Sequence, residues 1–454
     1  MRNRIDRTFG TRQAGWRQYQ NRLKQLRSRQ RIKIRFAMGV LIAAAIFAFG
    51  AWFWLLSDGM TAVPEKAGSF AEPRAGLLEK TDLQAAISAA DLVNLKEPEF
   101  EITLDRRRHL VQTSIQLPLQ QILMDRLDKR NSRYIGIVAM EPATGRILAM
   151  VGYDKTGDSN NPCIEKRFPA ASVFKIVTAA AAIQELGLLP DSQLTYNGRK
   201  HTLYKSQLGT AQNRYTNQTT FRKSFAQSIN PVFGKIGTHR LGRELLAKYA
   251  EAFGFNRQIE FDVSLPASTF QITDEPYYWA ELASGFNRDT RISPLHGALI
   301  ASVVLNGGKL VEPSIVDKVT DPTGRIVYRT RSENIQEVIS PAACRQLTDL
   351  MQATVEDGTL RQTFRDADRD WVLSKLNIGA KTGSINSRNN DARYDWFVGF
   401  AREKEGDAQF ALSAVVAHED YIGVRAGDYA RLAIRHYFQE AFARRPSGRR
   451  DVSG

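Results

Sequence analysis

The residues whose types and spacing best suit chemistry are Ser172 and Lys175, which open an apolar run in the middle of the chain. Side chains three residues apart on a helix share a face, with Cβ atoms about 5–6 Å apart. The lysine amine can therefore reach the serine hydroxyl, which is a poor nucleophile until a base removes its proton. Residues 176–183 are apolar on nearly every face and predict a buried helix. Because burial disfavours the ammonium form, Lys175 can serve as that base.

For this pair alone, a surface serine and lysine on a core helix is the simpler interpretation. A catalytic site would also need groups that relay protons, and donors that hold a carboxylate and an oxyanion. Candidates for these tasks follow in order along the chain, in Ser228-Ile229-Asn230 and in Lys381-Thr382-Gly383-Ser384. The combination of the three motifs predicts a catalytic site.

The elements around the third motif separate it from a chance match. A second Lys-Thr-Gly, at residues 155–157, lies in a polar, turn-rich stretch before Ser172. Lys381 instead ends the short run 378–380, and a polar loop separates it from an apolar run at 396–401. This order predicts a strand, a loop and a returning strand. Backbone amides on a strand edge can hydrogen-bond a substrate that lies beside it.

The second motif falls where one predicted helix ends and another begins. Thr220 is a suitable cap for a helix over residues 221–227. Asn230 is expected to cap the next helix, with Pro231 at its first position. Taken alone, Ser228 and Asn230 would simply mark helix ends.

The ordered motifs resemble those of the penicillin-binding protein transpeptidase family, over about residues 111–445. The resemblance implies an α/β (α+β) penicillin-binding/β-lactamase-like fold, in which an antiparallel sheet flanked by helices lies beside an all-helical subdomain. A hairpin over residues 134–151 and a strand over 409–417 look like strands of that sheet, and 429–443 looks like its closing helix. One departure is at Pro169-Ala170-Ala171, since the family often has Pro-Gly immediately before the nucleophile.

The resemblance also implies a role for each motif. Ser172 would attack the peptide bond of a D-alanyl-D-alanine stem peptide, and Lys175 would take its proton. Ser228, hydrogen-bonded between Lys175 and Lys381, would pass a proton to the departing amine. The backbone amides of Ser172 and Ser384 would form the oxyanion hole.

Substrate binding is assigned in the same way. Asn230 would hold the backbone amide of the substrate and help to fix the base. Lys381, with the Thr382 and Ser384 hydroxyls, would bind the terminal carboxylate on the strand that also contains Gly383. The implied enzyme is a serine-type peptidoglycan D,D-transpeptidase that crosslinks stem peptides, is acylated by β-lactams and needs no cofactor or metal.

Three other functions use a similar site. A D,D-carboxypeptidase would use the same residues with water as the acceptor. A β-lactamase would need a base for deacylation, but no Glu-x-x-Leu-Asn-like segment follows Ser228, and Asn230 disfavours the class D pattern. A β-lactam sensor would normally need a cytoplasmic effector, for which the basic segment 1–35 is too short.

Charge and hydropathy divide the chain further. Residues 1–35 carry most of the net charge of +15 and are predicted to be a cytoplasmic tail. Residues 36–56 are uncharged and apolar, and about 20 such residues span a bilayer. Residues 57–110 are predicted to be an extracytoplasmic stalk or short pedestal, 111–445 the transpeptidase domain, and 446–454 a disordered tail. A cleavable signal peptide is the alternative to this anchor.

These features also predict the partners. The basic tail precedes a membrane anchor, so anionic lipid of the inner membrane is favoured over nucleic acid as its partner. A membrane glycan polymerase is implied only by analogy. Cys163 and Cys344 would lie in an oxidising compartment where a disulfide is allowed, but nothing in the sequence brings them together. The six histidines lack metal-ligand spacing, and surface or core positions are expected for them.

Overall fold

The computed structural model of the protein describes residues 77–158 and 160–444. Its strands are β1 Glu99–Leu104, β2 Arg107–Thr113, β3 Ser132–Met140, β4 Ile147–Asp154, β5 Phe168–Pro169, β6 Gln193–Tyr196, β7 Asn217–Thr220, β8 Arg291–Ile292, β9 Lys309–Val311, β10 Val316–Thr320, β11 Ile326–Arg329, β12 Asn334–Glu337, β13 Leu376–Asn386, β14 Arg393–Glu403 and β15 Gln409–His418. Its α-helices are α1 Lys80–Ala86, α2 Leu117–Asp125, α3 Lys175–Leu186, α4 Phe221–Ala226, α5 Asn230–Ile236, α6 Gly242–Ala252, α7 Pro276–Ser284, α8 Pro294–Leu305, α9 Pro341–Glu356 and α10 Ala426–Ala443.

The central element is an antiparallel sheet of five strands in the order β13-β14-β15-β3-β4. Alternate residues of its strands enter two different cores, as Val138 and Ile137 do in β3. Helix α8 packs on one face and α10 on the other. Both faces are therefore covered, which is why β3 and β15 are apolar runs rather than alternating ones.

The predicted elements of this sheet are confirmed. The hairpin expected over residues 134–151 is β3 and β4, and the strand expected over 409–417 is β15. The closing helix begins three residues earlier than predicted, at Ala426. The α/β fold with an antiparallel sheet flanked by helices is therefore the one expected from the sequence.

Several helices pack on the same side of the central sheet as α8. Helix α3 lies among them, and its residues 176–183 are buried, as predicted. It ends at Gly187, whose φ of 60° is the left-handed conformation typical of a helix C-terminus. Helices α4 and α9 pack against each other, and α7 packs against α5.

A second antiparallel sheet has the order β1-β2-β10-β11. It joins the early segment 99–113 to the much later segment 316–329. The domain boundary predicted after residue 110 falls within β2, which is hydrogen-bonded to β10.

The predicted anchor at 36–56 and the predicted tails at 1–35 and 446–454 lie outside the described residues. Within the described part, no helix has both the length and the apolar character needed to span a bilayer.

Candidate active site

The first motif lies where a 3₁₀ turn, Ala171–Phe174, continues into α3. Ser172 is in that turn and Lys175 is the first residue of the α-helix. Side chains three residues apart eclipse each other in a 3₁₀ turn, which brings them closer than on a regular α-helix. The Lys175 Nζ accordingly lies 2.8 Å from the Ser172 Oγ. The proximity predicted from the sequence is thus present, although the local geometry is 3₁₀ at the serine.

Lys175 is fully buried. Besides Ser172, its Nζ contacts two oxygen acceptors, the Asn230 Oδ1 at 2.8 Å and the Ser284 carbonyl at 2.6 Å. No carboxylate of the described residues forms an ion pair with it. Burial, followed by the nearby charge of Lys381, holds the pKa of Lys175 well below that of an ordinary lysine. A neutral amine in contact with a hydroxyl is the arrangement that a general base requires.

The turn before Ser172 is unusually tight. Ala171 has a φ of 49°, a left-handed conformation that costs a non-glycine residue about 1–2 kcal/mol. Gly285, which follows α7, packs so closely against this turn that a Cβ added to Gly285 would lie 1.8 Å from the Ala171 carbonyl oxygen. The Trp396 Nε1 also donates a 2.9 Å hydrogen bond to the Pro169 carbonyl. Contacts from α7 and β14 therefore hold the turn in place.

The second motif occupies the turn between α4 and α5. Thr220 caps α4 as predicted, since its side chain accepts from the Lys223 amide. The predicted capping role of Asn230 is wrong: Ile229 occupies the N-cap position, and Asn230 is the first helical residue. Its side chain oxygen is used instead by the buried Lys175 amine, which has few other acceptors.

Ser228 has a left-handed φ of 55° and lines the cleft. Its hydroxyl was expected to bridge Lys175 and Lys381. In the part of the chain that the structure describes, it makes neither hydrogen bond. The Lys175 amine contacts Ser172, Asn230 and the Ser284 carbonyl, and the Lys381 amine donates to the Thr382 carbonyl.

The third motif lies on β13, the edge strand of the central sheet. Ala380 belongs to the core on the α10 face, so the alternation of a strand directs Lys381 to the opposite face, where α3 and α4 lie. Lys381 is fully buried, and burial lowers its pKa to about 7. Its Nζ lies 5.6 Å from the centre of the Phe225 ring.

The rest of this motif faces the nucleophile. A Cβ added at Gly383 would lie 3.3 Å from the Ala170 carbonyl oxygen, so β13 passes close to the turn that carries Ser172. The Thr382 Oγ1 is 2.5 Å from the Thr359 Oγ1. The exposed Ser384 donates its hydroxyl to the Asp395 Oδ1 at 3.2 Å.

A cleft of about 390 Å³ separates the helical residues from β13. Its lining includes five of the predicted site residues, namely Ser172, Ser228, Asn230, Thr382 and Ser384. Lys175 and Lys381 lie buried behind them. The structure thus brings the three motifs, which are separated by more than 200 residues, to one cleft.

The cleft also contains side chains that had not been singled out from the sequence as site residues. They are His201, Thr359, Arg393, Asp395 and Arg425. These residues reach the cleft through the tertiary packing of their segments, and no spacing in the local sequence identifies them as site residues. For Thr359 the sequence does offer a signal, because residues 356–359 lie where a similar segment of the resembled family falls.

The two cysteines are free and buried. Burial raises the pKa of the Cys163 thiol to about 12 and that of Cys344 to about 11, so neither is a candidate nucleophile. Among the described residues, no group of His, Cys, Asp and Glu side chains could hold a metal ion.

Comparison with known proteins gives a consistent result. Residues 135–435 match the penicillin binding protein transpeptidase domain. The chain is 26% identical over 382 residues to the peptidoglycan D,D-transpeptidase PbpA of Mycolicibacterium smegmatis, covering 75% of this chain and 74% of that protein. It is also 26% identical over 306 residues to the stage V sporulation protein D of Bacillus subtilis, covering 62% of this chain but only 46% of that protein.

A solved structure is similar as well. It is the imipenem acyl-enzyme complex of penicillin-binding protein A from M. tuberculosis, with a TM-score of 0.59 and 23% identity. The match covers 72% of this chain and 79% of that one. At this level of identity, the similarity shows a shared fold.

Proposed function

This chain belongs to the penicillin-binding protein transpeptidase family, and from that premise we propose that it is a peptidoglycan D,D-transpeptidase that forms a Ser172 acyl-enzyme and is acylated by β-lactams. The observation that carries the proposal is the 2.8 Å contact between the Ser172 hydroxyl and the buried Lys175 amine. Two findings on relatives support it: one is named a D,D-transpeptidase, and another was solved as an acyl-enzyme.

In the proposed reaction, Ser172 attacks the carbonyl carbon between the two terminal D-alanines of a stem peptide. Lys175 takes the hydroxyl proton, and the backbone amides of Ser172 and Ser384 stabilise the negative charge on the substrate oxygen. Collapse of the intermediate breaks the peptide bond, and Ser228 relays a proton to the departing D-alanine amine. The amine of a second stem peptide then attacks the ester, loses a proton and releases Ser172.

The proposed substrate contacts follow from the hydrogen bonds of the free site. Asn230 uses its oxygen for Lys175, which leaves its amide nitrogen to hold the peptide backbone of the substrate. Lys381 and Thr382 attract the terminal carboxylate, beside the close approach at Gly383. The Ser384 hydroxyl must turn away from Asp395 in order to donate to that carboxylate.

The proposed cellular location of the protein rests on both its sequence and the proposed reaction. Crosslinking takes place in the cell wall, so the catalytic domain, predicted over 111–445, is extracytoplasmic in this proposal. The apolar segment 36–56 anchors it in the inner membrane, with 1–35 in the cytoplasm and 57–110 as the stalk or short pedestal. A membrane glycan polymerase is the proposed partner, since crosslinking acts on newly made glycan strands.

The test is incubation of the purified protein with glycan strands that carry D-alanyl-D-alanine pentapeptides, followed by mass spectrometry of the muropeptides. Crosslinked dimers are expected with the wild type, and none with Ser172→Ala. Tetrapeptides without dimers would instead identify a D,D-carboxypeptidase. No change in the strands would contradict both assignments.

A further inference from the structure

Asp395 lies directly opposite Ser384 in the ladder between β13 and β14. Directly opposed residues of two antiparallel strands project from the same face of a sheet, so their side chains are neighbours. The Ser384 hydroxyl donates a 3.2 Å hydrogen bond to the Asp395 Oδ1, and both residues line the cleft. A carboxylate of the protein therefore holds the hydroxyl that is proposed to bind the carboxylate of the substrate.

The Asp395 carboxylate is fixed in this position. Only 8% of the residue is exposed. Its second oxygen, Oδ2, accepts a 3.1 Å hydrogen bond from the amide of Ala426, the first residue of α10. The free amides and the dipole at a helix N-terminus favour a negative charge. The buried His418 packs beside it, with its Nε2 3.9 Å from Oδ2. These contacts hold Asp395 in place when a second anion enters the cleft.

Positive side chains lie near Asp395 without pairing with it. Among the described residues, no lysine or arginine forms an ion pair with this carboxylate. Arg393 and Arg425 line the same cleft but are exposed, and Lys381 is buried on the other face of β13. These three cations attract any anion that enters the cleft, whereas Asp395 repels it. The repulsion is centred on the position of the Ser384 hydroxyl.

The Ser384 hydroxyl can serve only one carboxylate at a time. A hydroxyl has a single hydrogen to donate, and an ionised carboxylate can only accept. When the substrate carboxylate takes this hydrogen, the Asp395 Oδ1 loses its partner in a largely buried position, which costs free energy. The like charges of the two carboxylates add to this cost. A free carboxylate should therefore bind more weakly than Lys381, Thr382 and Ser384 alone would allow.

We propose that Asp395 is a positioning residue that acts through Ser384: it competes with the substrate for the serine hydroxyl and so limits how tightly the site holds a free carboxylate. This inference rests on the proposed function. In that reaction, cleavage of the peptide bond leaves D-alanine in the site, with its carboxylate still on the groups of β13. Return of the hydroxyl to Asp395 removes one of these contacts and favours the departure of D-alanine. The acceptor amine then has access to the ester on Ser172.

The test measures how well two ligands compete with a fluorescent penicillin for the site. One is N-acetyl-D-alanyl-D-alanine with a free C-terminus, and the other is the same peptide ending in a carboxamide. In Asp395→Asn, the side chain keeps an oxygen for the Ala426 amide but carries no charge. The inhibition constant of the acid should fall by about fivefold relative to the wild type, because the competing charge-assisted hydrogen bond is lost. The inhibition constant of the carboxamide should change by less than about twofold, because this ligand carries no negative charge.

An acid that competes no better with the variant than with the wild type would overturn the inference. An equal gain for both ligands would overturn it too. The comparison is made between two ligands on one protein, so a loss of stability in the variant does not affect it. Asp321→Asn is the matched control, because the Asp321 Oδ1 also accepts from a hydroxyl and a backbone amide, those of Thr323, but lies outside the cleft lining. Neither inhibition constant should change in this control.

The route through Ser384 is tested by a double-mutant cycle. When Asp395→Asn is added to Ser384→Ala, the inhibition constant of the acid should improve by less than about twofold, since no hydroxyl remains for which the two carboxylates compete. The full gain of about fivefold in this background would show that Asp395 acts by charge alone, and would overturn the proposed route.

A second measurement needs no variant. In a crystal structure of the wild-type protein acylated by benzylpenicillin, the Ser384 Oγ should lie within hydrogen-bonding distance of the penicilloyl carboxylate and no longer within that distance of the Asp395 Oδ1. A retained hydrogen bond to Asp395 would overturn the inference. A wild type that does not react with penicillin would contradict the proposed function itself. A wild type that is acylated, together with unchanged ligand selectivity in Asp395→Asn, would overturn this inference alone.

Discussion

The two walls of the cleft are built in different ways. The helical wall, with Ser172, Lys175, Ser228 and Asn230, consists of turns at helix ends, and the Lys175 amine contacts the side chains of Ser172 and Asn230. The sheet wall, Lys381–Ser384, is one regular strand held by an unbroken antiparallel ladder to β14. The nucleophile and its base thus lie on short turns, while the side chains proposed to hold the terminal carboxylate lie on a strand that is paired along its whole length.

This difference separates chemistry from binding. The helical wall contains the hydroxyl and amine that are in contact, and two residues with left-handed backbone, Ala171 and Ser228. The sheet wall presents a row of polar groups along the direction of the strand, with a buried amine beneath them. Substitution of Ser172 or Lys175 on the helical wall should lower the rate of acylation, and substitution of the Lys381 side chain on the sheet wall should weaken substrate binding.

The largest effect is expected for Lys175→Met on the helical wall. The variant loses the base, and general base catalysis typically contributes about 10²–10⁴-fold, so acylation by a fluorescent penicillin should fall by about 10³-fold. The fold should survive, since a buried amine without a counter-charge is replaced by an apolar side chain of similar length. Stopped-flow labelling and thermal unfolding measure the two quantities. Acylation within tenfold of the wild type would contradict the assignment of the base.

A smaller effect is expected for Lys381→Met on the sheet wall. A hydrogen bond to a charged group contributes about 1.5–3 kcal/mol, so KM for a carboxylate substrate should rise by about 10- to 100-fold. The rate at saturation should fall much less than in Lys175→Met. Steady-state kinetics with a D-alanyl-D-alanine peptide separate the two parameters. An unchanged KM together with a lost rate would show that both lysines act in the chemistry.

The pH dependence of binding distinguishes the two amines further. The pKa of Lys381 is lowered to about 7, so the ammonium form that attracts a carboxylate is present below pH 7 and is lost as the pH rises through 7. KM for a carboxylate substrate should therefore increase above pH 7, by up to about tenfold per pH unit. The matched control is Lys381→Met, for which this rise should be absent. A KM that is flat from pH 6 to pH 9 in the wild type would contradict the account.

The smallest effect is expected at the turn before the nucleophile. Ala171→Gly removes the cost of a left-handed alanine and should raise the free energy of unfolding by about 1 kcal/mol. Ala170→Gly is the control: with an ordinary φ of −63°, it should lower the stability by about 0.5–1 kcal/mol. Chemical denaturation of the two variants measures the difference. Equal effects of the same sign would show that the turn is not strained.

The sequence was sufficient to predict the elements that carry the motifs. Apolar runs in the sequence predicted the buried helix after Lys175 and the sheet strands over 134–151 and 409–417. A helix in the core and a sheet covered on both faces each require such long apolar runs. Order and context were enough to choose Lys381 over the earlier Lys-Thr-Gly. These are local signals, and the structure agrees with them.

Contacts between distant segments could not be predicted in this way. Asn230 was expected to cap a helix, but it serves a buried amine 55 positions earlier in the chain. His201 and Asp395 reach the cleft through a loop and through the register of β14 with β13, neither of which leaves a local pattern. The position of the Ser228 hydroxyl also depends on the left-handed backbone of its turn, a conformation that the residue types alone do not specify.

The most direct test of the central claim is to locate the acyl group. The wild-type protein and Ser172→Ala are treated with benzylpenicillin, and intact-mass and peptide-mapping spectrometry identify the modified residue. The account predicts one penicilloyl group per wild-type chain, on the peptide that contains Ser172, and none on the variant. Modification of another residue, or labelling of Ser172→Ala at the rate of the wild type, would contradict it.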